Sequence, residues 1–293
     1  MLMRLKSLMA LGWALVFASQ ACCAATSLWQ VSKNNRVFYL GASISALQNK
    51  YYPLPAEFDE AFKKAAILYV ERDIAAVSAQ DFSAQVMQRM MYTDGGNLKK
   101  ALRPEVYQQL DAYSASLNVP MFGLAMFKPA FSMVSLAAAQ SAKGDYVYGV
   151  DSNYFYLAQE TKKPWRALET TAEQLALLEQ INQEEPNQAV LFMLDELKNM
   201  PATLAKLVPA WRSGNLAAVD SLSAGKMRKL TPQVYKALVF TRHQNWLPHF
   251  NAMAQTADEE LVLLDIVHFT GPDSVLTLLK KNGFTLTPYR NSH

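Results

Sequence analysis

Four apolar runs in this chain each give way to side chains that can do acid–base, nucleophilic or ligand-binding chemistry. Val37–Ser43 leads to Ser43 and Ser45, and Ile67–Val70 leads to Glu71 and Asp73. Trp165–Leu168 leads to Glu169, and Leu261–Val267 contains Asp265 and leads to His268. In open α/β sheets, ligands bind beyond the carboxyl ends of the strands, where the following loops diverge. Strands ending in this way would bring hydroxyls, carboxylates and an imidazole to one edge. Any one of these residues alone reads as the place where a strand reaches water; the coincidence of four carries the functional reading. No His-Glu-x-x-His helix, Gly-x-Ser-x-Gly elbow, phosphate loop or Gly-x-Gly-x-x-Gly is present. Gly41-Ala42-Ser43-Ile44-Ser45 is elbow-like but lacks the closing glycine. Histidine is scarce: His243, His249, His268 and the terminal His293. His249, on a helical pattern, reads as surface or satisfied core.

A sheet must position these groups, and the pattern supplies one. Leu28–Val31 and Val37–Ser43 flank Lys33-Asn34-Asn35-Arg36, which is hairpin turn chemistry. Glu57–Ala66 carries Phe58, Ala61, Phe62 and Ala65 at helical spacing and leads to the run Ile67–Val70. Strand, helix and strand make a βαβ unit with parallel pairing. From about residue 75 to 222 the pattern is helical, with Trp165–Leu168 as a strand returning to the sheet. The methionines Met87, Met90, Met91, Met121 and Met126 read as core filler. Leu261–Val267 is a further strand, and Asp273–Asn282 is a helix closed by Gly283. Phe284–Tyr289 reads as an edge strand. The expected fold is α/β (α+β): a central mixed sheet with βαβ units and a large helical insertion, one domain over residues 26–293.

The amino terminus sets the address. Arg4 and Lys6 precede the apolar Leu8–Phe17, and small residues follow at Ala21, Ala24 and Ala25. Residues 1–25 thus read as a cleavable secretory signal, too short in its apolar run to span a bilayer, and predict a periplasmic or secreted protein. Cys22 follows Ala21, but Ser19 and Gln20 do not suit a lipid-attachment motif, so a lipoprotein is the lesser alternative. Both cysteines, Cys22 and Cys23, leave with the signal, which excludes disulfides, thiolate catalysis and cysteine-held metal from the mature chain. Its loss also lowers the formal charge from +3 by two, to +1. A near-neutral chain without a basic run offers nucleic acid no electrostatic footprint. Val119–Ala139 is apolar, but Pro120, Lys128 and Pro129 interrupt it, and it reads as buried helix rather than a membrane span.

The residues carry a family likeness. Tyr39–Leu47, Tyr52-Pro53-Leu54-Pro55, Phe58-Asp59 and Val70–Ile74 resemble the opening of TraB/GumN proteins, bacterial relatives of the Tiki and PrgY proteins. The likeness continues through Lys128-Pro129, Tyr148–Asp151, Leu168-Glu169-Thr170, Gln174 and Trp211–Gly214. It extends to Arg242 with Trp246, Leu263–Gly271 and Leu278–Gly283. The resemblance implies two Gly-x-x-His motifs at strand ends and a glutamate after the second strand, residues associated in the Tiki branch with metal-dependent proteolysis. Two imidazoles and a carboxylate can hold a divalent ion with a position open, where water becomes a nucleophile near neutral pH.

The departures matter as much. The first motif falls on Ala42-Ser43-Ile44-Ser45, losing glycine and histidine; the second falls on Asp265-Ile266-Val267-His268, keeping only the histidine. Glu71, Asp73, Glu169 and Arg242 are retained, and His243 stands where the family usually has asparagine. Glu71 and His268 are the strong ligands left, with Asp265 or His243 as additions; His243 could equally donate hydrogen bonds from a helix surface. The expectation is a degenerate metallohydrolase-fold protein with weak or no catalysis, binding a peptide or small-molecule ligand in its strand-end cleft, with Ser45, Glu71, Glu169 and Arg242 as the polar machinery. The alternative is an active divalent-metal-dependent peptidase (manganese, cobalt or zinc) with a rearranged shell. A third is a metal-free hydrolase using Ser43 or Ser45, with His268 as base and Glu71 orienting it.

Overall fold

The computed structural model describes residues 27–75, 80–144 and 146–290. The expected export signal with Cys22 and Cys23, and His293, lie outside the described residues. Strands β1 (Leu28–Lys33) and β2 (Arg36–Ser43) form the expected hairpin, with Lys33 opposite Arg36. Asn34 and Asn35 make its turn at φ 53° and 60°, the left-handed region that asparagine tolerates better than most side chains.

The remaining strands are β3 (Ala46–Gln48), β4 (Ile67–Arg72), β5 (Tyr146–Tyr148), β6 (Trp165–Glu169), β7 (Glu260–Asp265) and β8 (Thr285–Pro288). Six of them build one mixed sheet in the order β6-β4-β7-β2-β1-β8. Strands β6, β4, β7 and β2 run parallel, while β1 is antiparallel to both β2 and β8. The α/β architecture with a central mixed sheet is thus the one the sequence predicts.

Several details differ. The βαβ pattern implies that β2 and β4 are neighbours; they are parallel, but β7 lies between them. Leu261, Val262, Leu263 and Leu264 are all fully buried, and a strand without a polar face belongs in the middle of a sheet, whatever its place in the chain. This strand ends at Asp265, and Ile266–Phe269 is a 3-10 turn rather than more strand. The last helix is Val275–Lys281, begun by Ser274, whose hydroxyl accepts from the Thr277 N–H. Strands β3 and β5 form a separate two-stranded ladder that three-residue strands do not announce in sequence.

Strand β6 returns to the sheet amid the helices, as the sequence predicts, but the helical part does not end at Leu222: helices continue through Ala224–Leu230 and Pro232–Tyr235. A π-helical turn, Lys236–Thr241, then leads into helix Arg242–Met253. Of the methionines expected in the core, Met90 is fully buried, whereas Met87 and Met126 are exposed. The apolar Val119–Ala139 contains helix Met121–Leu124 and most of helix Pro129–Lys143. Among the described residues no helix is long and apolar enough to cross a membrane.

The main core closes on the sheet. Trp211, near the end of the 27-residue helix Pro186–Arg212, is fully buried and donates its indole N–H to the Ala42 carbonyl at 2.7 Å. This fixes the carboxyl end of β2. One step earlier, Gly41 lets the core approach the backbone closely: a Cβ there would lie 2.8 Å from Phe58, 2.9 Å from Leu263 and 3.0 Å from Leu28. Overfilling a packed core forces side chains off their rotamers. Gly41→Val is therefore expected to lower unfolding stability by about 1–3 kcal/mol, read as a reduced urea midpoint; an unchanged midpoint would show that the three neighbours yield freely.

Candidate functional site

The parallel strands end side by side. Ser43 pairs with Asp265 across β2 and β7, and Arg72 pairs with Glu169 across β4 and β6. Hydroxyls and carboxylates from four strands therefore share one edge, as the sequence pattern predicts. Local chemistry fixes each end. Thr170 caps helix Thr171–Ile181 in a reciprocal capping box with Glu173, which stops β6 at Glu169. Asp265 caps the 3-10 turn by accepting from the Val267 N–H at 3.0 Å, which places His268 one turn on.

The centre of the site is Arg242. Its Nε and Nη2 donate to Glu169 at 2.6 and 3.1 Å, and Nη2 also donates to Glu71 at 2.6 Å. The Glu71 side chain reaches the Asp265 backbone N–H at 2.5 Å with its other oxygen. Trp246 completes the enclosure: its indole N–H bonds Glu169 at 3.0 Å, its ring lies 4.6 Å under the guanidinium, and its ring meets His268 edge-on at 4.7 Å. Arg242, Trp246 and Phe250 recur at helical spacing on the buried face of one helix. The π-helical turn just before Arg242 widens the helix by one residue and so sets that face.

A backbone carbonyl fixes the proton positions on the two imidazoles. The Asp273 carbonyl can only accept, so His243 Nδ1–H donates to it at 2.7 Å. Burial, with His268 and Arg242 nearby, pushes the His243 pKa down to about 3, so its Nε2 carries a lone pair at neutral pH. That lone pair accepts from His268 Nδ1–H at 3.0 Å. His268 Nε2 then accepts from Arg242 Nη1 at 3.1 Å, with Glu71 3.3 Å away. His243 is 1 % exposed, which excludes a surface role for it; His249 is exposed.

Electrostatics divide the interior from the rim. Burial alone would raise the Glu71 carboxyl, but the Arg242 charge and the Asp265 N–H outweigh it and hold Glu71 well below the ordinary carboxylate range. Burial works against the Arg242 charge, yet Glu71 and Glu169 raise its pKa further. At the rim nothing offsets burial so fully. Asp265 is pushed up by burial and by Glu71, and accepts from the exposed Ser45 hydroxyl at 2.6 Å. Asp151 is pushed up to about 6 by burial, with Glu71 and Asp265 adding to the effect. It accepts from the Ser43 hydroxyl at 2.9 Å, and its own N–H donates back to Ser43 at 3.0 Å.

Ser43, Ser45, Glu71, Glu169, Arg242, His243, Asp265 and His268 thus gather in one region, while Asp73 bonds locally to the Ala75 N–H. The four named as a metal set, Glu71, His268, Asp265 and His243, do not form one. Both nitrogens of His243 are committed, Asp265 serves a turn and a hydroxyl, and a fixed guanidinium stands against Glu71 and His268. The donor set in this arrangement does not fit a divalent ion. Among the described residues no group of three or more histidine, cysteine or acidic side chains is arranged to hold one. The serine route fares no better in geometry: Ser43 and Ser45 bond to aspartates, not to His268. Asp151 and Trp246 are the site residues that strand-end reasoning passes over, since both sit on helices. Their signal was only their place in the quoted motifs.

The chain belongs to the TraB/PrgY/gumN family, whose model matches residues 27–288. No curated protein and no solved structure matches it.

Removing one partner from a buried ion network leaves uncompensated charge, so Arg242→Met is expected to cost about 3–5 kcal/mol in urea unfolding. A loss under about 1 kcal/mol would mean that Glu71 and Glu169 find water instead. The rim gives a pH signature. Asp151 binds its proton more tightly folded than unfolded, so its contribution to stability falls as pH rises from about 4 to about 6. Glu71 acts oppositely: its contribution is present above the ordinary glutamate range and lost as pH falls below it. In melting curves over pH 4–7, Asp151→Asn should gain stability relative to the parent as pH rises, with the difference levelling off above pH 6; parallel curves would contradict the assignment.

Proposed function

We propose that this member of the TraB/PrgY/gumN family is an exported protein that binds a peptide or other small ligand over its strand ends and hydrolyses little or nothing there. Export rests on the signal-like first 25 residues. One observation carries the rest: the Arg242 guanidinium stands against Glu71, Glu169 and His268, so the side chains that would grip a catalytic ion already surround a cation built into the chain. What faces outward is suited to recognition. Ser45 is exposed beside Asp265, with Asp151 partly open to solvent nearby. A cavity of about 380 Å³, within the range of small-molecule sites, is lined by Phe269, Thr270, Gly271 and Ser274 on the loop directly after His268. His243 anchors that loop through the Asp273 carbonyl.

A second reading, a divalent-metal peptidase using Glu71 and His268 with Asp265 or His243, is favoured by one fact: His243, His268 and Glu71 lie in unbroken contact at 3.0 and 3.3 Å. It requires Arg242 to withdraw and His243 to release Asp273. One experiment separates the readings. Protein incubated with manganese, cobalt or zinc and then desalted should hold well under one ion per chain by elemental analysis, and should cleave no member of a fluorogenic peptide library. Peptides from that library should raise the melting temperature of the parent and not of Asp265→Asn. A one-to-one ion lost in His268→Ala, with cleavage abolished in Glu71→Ala, would establish the peptidase instead.

A further inference from the structure

Away from the strand ends, one corner of the helical region carries apolar side chains in water. Helices Leu98–Ala101 and Met121–Leu124 share an inner face, where Leu98, Leu102 and Leu124 are buried together and Met121 packs against them. The Leu98 N–H bonds the Ala125 carbonyl at 2.9 Å, which locks the two short helices side by side. With Leu98 and Leu124 turned inward, Lys99, Lys100 and Phe122 are left on the outside, and all three are exposed. Phe122 is 83 % exposed, well beyond what a packed aromatic shows.

Two methionines extend the patch. Met126 is 43 % exposed and Met87 is 52 % exposed. The Tyr92 N–H bonds the Met126 carbonyl at 2.9 Å and Met91 bridges to Phe127, which brings the end of helix Gln80–Met90 alongside. Nearby acidic groups offset the lysines only in part. Glu105 is paired with Arg103 at 3.4 Å, while Asp94 accepts from the Gly96 N–H and keeps its charge, so Lys99, Lys100 and Asp94 together leave a net +1. Lys100 donates to the Gly95 carbonyl at 2.8 Å and keeps its charge.

We propose that this corner is a peripheral docking surface for an anionic phospholipid bilayer. A standard protein interface draws on roughly 20–30 residues a side. A lipid surface asks for less: an apolar wedge that enters the headgroup boundary, flanked by cations that meet the phosphates. Phe122, Met126 and Met87 are the wedge, and Lys99 and Lys100 supply the complementary charge. Each net positive charge near an anionic surface adds about fivefold to partitioning, so the net charge of one gives about fivefold. Attachment by three side chains and two charges is weak and reversible.

The test is vesicle co-sedimentation of the chain from residue 26 onward, which contains every residue of the sheet and core described above and omits the apolar leader. Vesicles of phosphatidylcholine alone are compared with vesicles containing 30 % phosphatidylglycerol. The expected result is binding to the anionic vesicles about fivefold above the neutral ones, falling as salt is raised. Phe122→Ser with Met126→Ser should abolish it, and Lys99→Glu with Lys100→Glu should reduce it to the neutral level. These positions are exposed, so circular dichroism and melting temperature should match the parent. Equal sedimentation with both vesicles, no sedimentation, or binding unchanged by the Phe122/Met126 pair overturns the proposal. A concentration-dependent dimer lost in Phe122→Ser without vesicle binding also overturns it, in favour of a second copy of the chain.

Discussion

A guanidinium shut away from water is costly unless its charge and its hydrogen-bonding fork are both answered. Arg242 meets that condition with two carboxylates from adjacent strand ends, an imidazole and an indole face. Much of the local architecture follows from it. Strand β6 stops at Glu169 because the capping box begins a helix there, and β4 runs on to present Glu71. The π-helical turn sets the face of helix Arg242–Met253 so that arginine, histidine and tryptophan all point to the sheet edge.

The same network divides the site into two zones with different chemistry. Inside, four Arg242 hydrogen bonds and the two imidazoles form one connected set, and the direction of the chain from Arg242 through His268 and His243 is dictated by a single backbone carbonyl. Such a set is rigid, because moving one proton leaves a neighbour unpaired. Outside, Asp151 and Asp265 are bound only by hydroxyls and backbone N–H groups, and the negative charge of Glu71 presses on both. On the proposed binding reading, this zone and the cavity beside the His268 loop, not the buried ions, are what a ligand would meet.

The serine at position 45, where the family resemblance implies a histidine, takes on a physical meaning in this setting. Ser45 sits exposed on the rim and turns its hydroxyl to Asp265, while His268 is fully buried and faces the arginine and His243. Serine at this position therefore belongs to the exposed rim and not to the buried network. His243 supplies an acceptor for His268 and a tether for the loop that lines the cavity.

The periodicity of the chain was enough to find the α/β class, the Asn-Asn hairpin, the strand-to-loop transitions and the residues that gather at one edge. Parallel strands must bring their carboxyl ends together, so a polar residue after each apolar run is local information with a global consequence. The order of the strands was not local. Strand β7 comes late in the chain yet lies between β2 and β4, because four consecutive buried residues need partners on both edges and cover on both faces. Nor could spacing reveal that His243 is buried, since a helix offers several faces and only the π-helical turn and the packing of Trp246 choose among them. Likewise, Glu71, His268, Asp265 and His243 could be named from sequence as an ion's ligands. Only the tertiary structure set Arg242 in their midst, because a charge from a helix that enters the sheet edge at right register is invisible until the helix is placed.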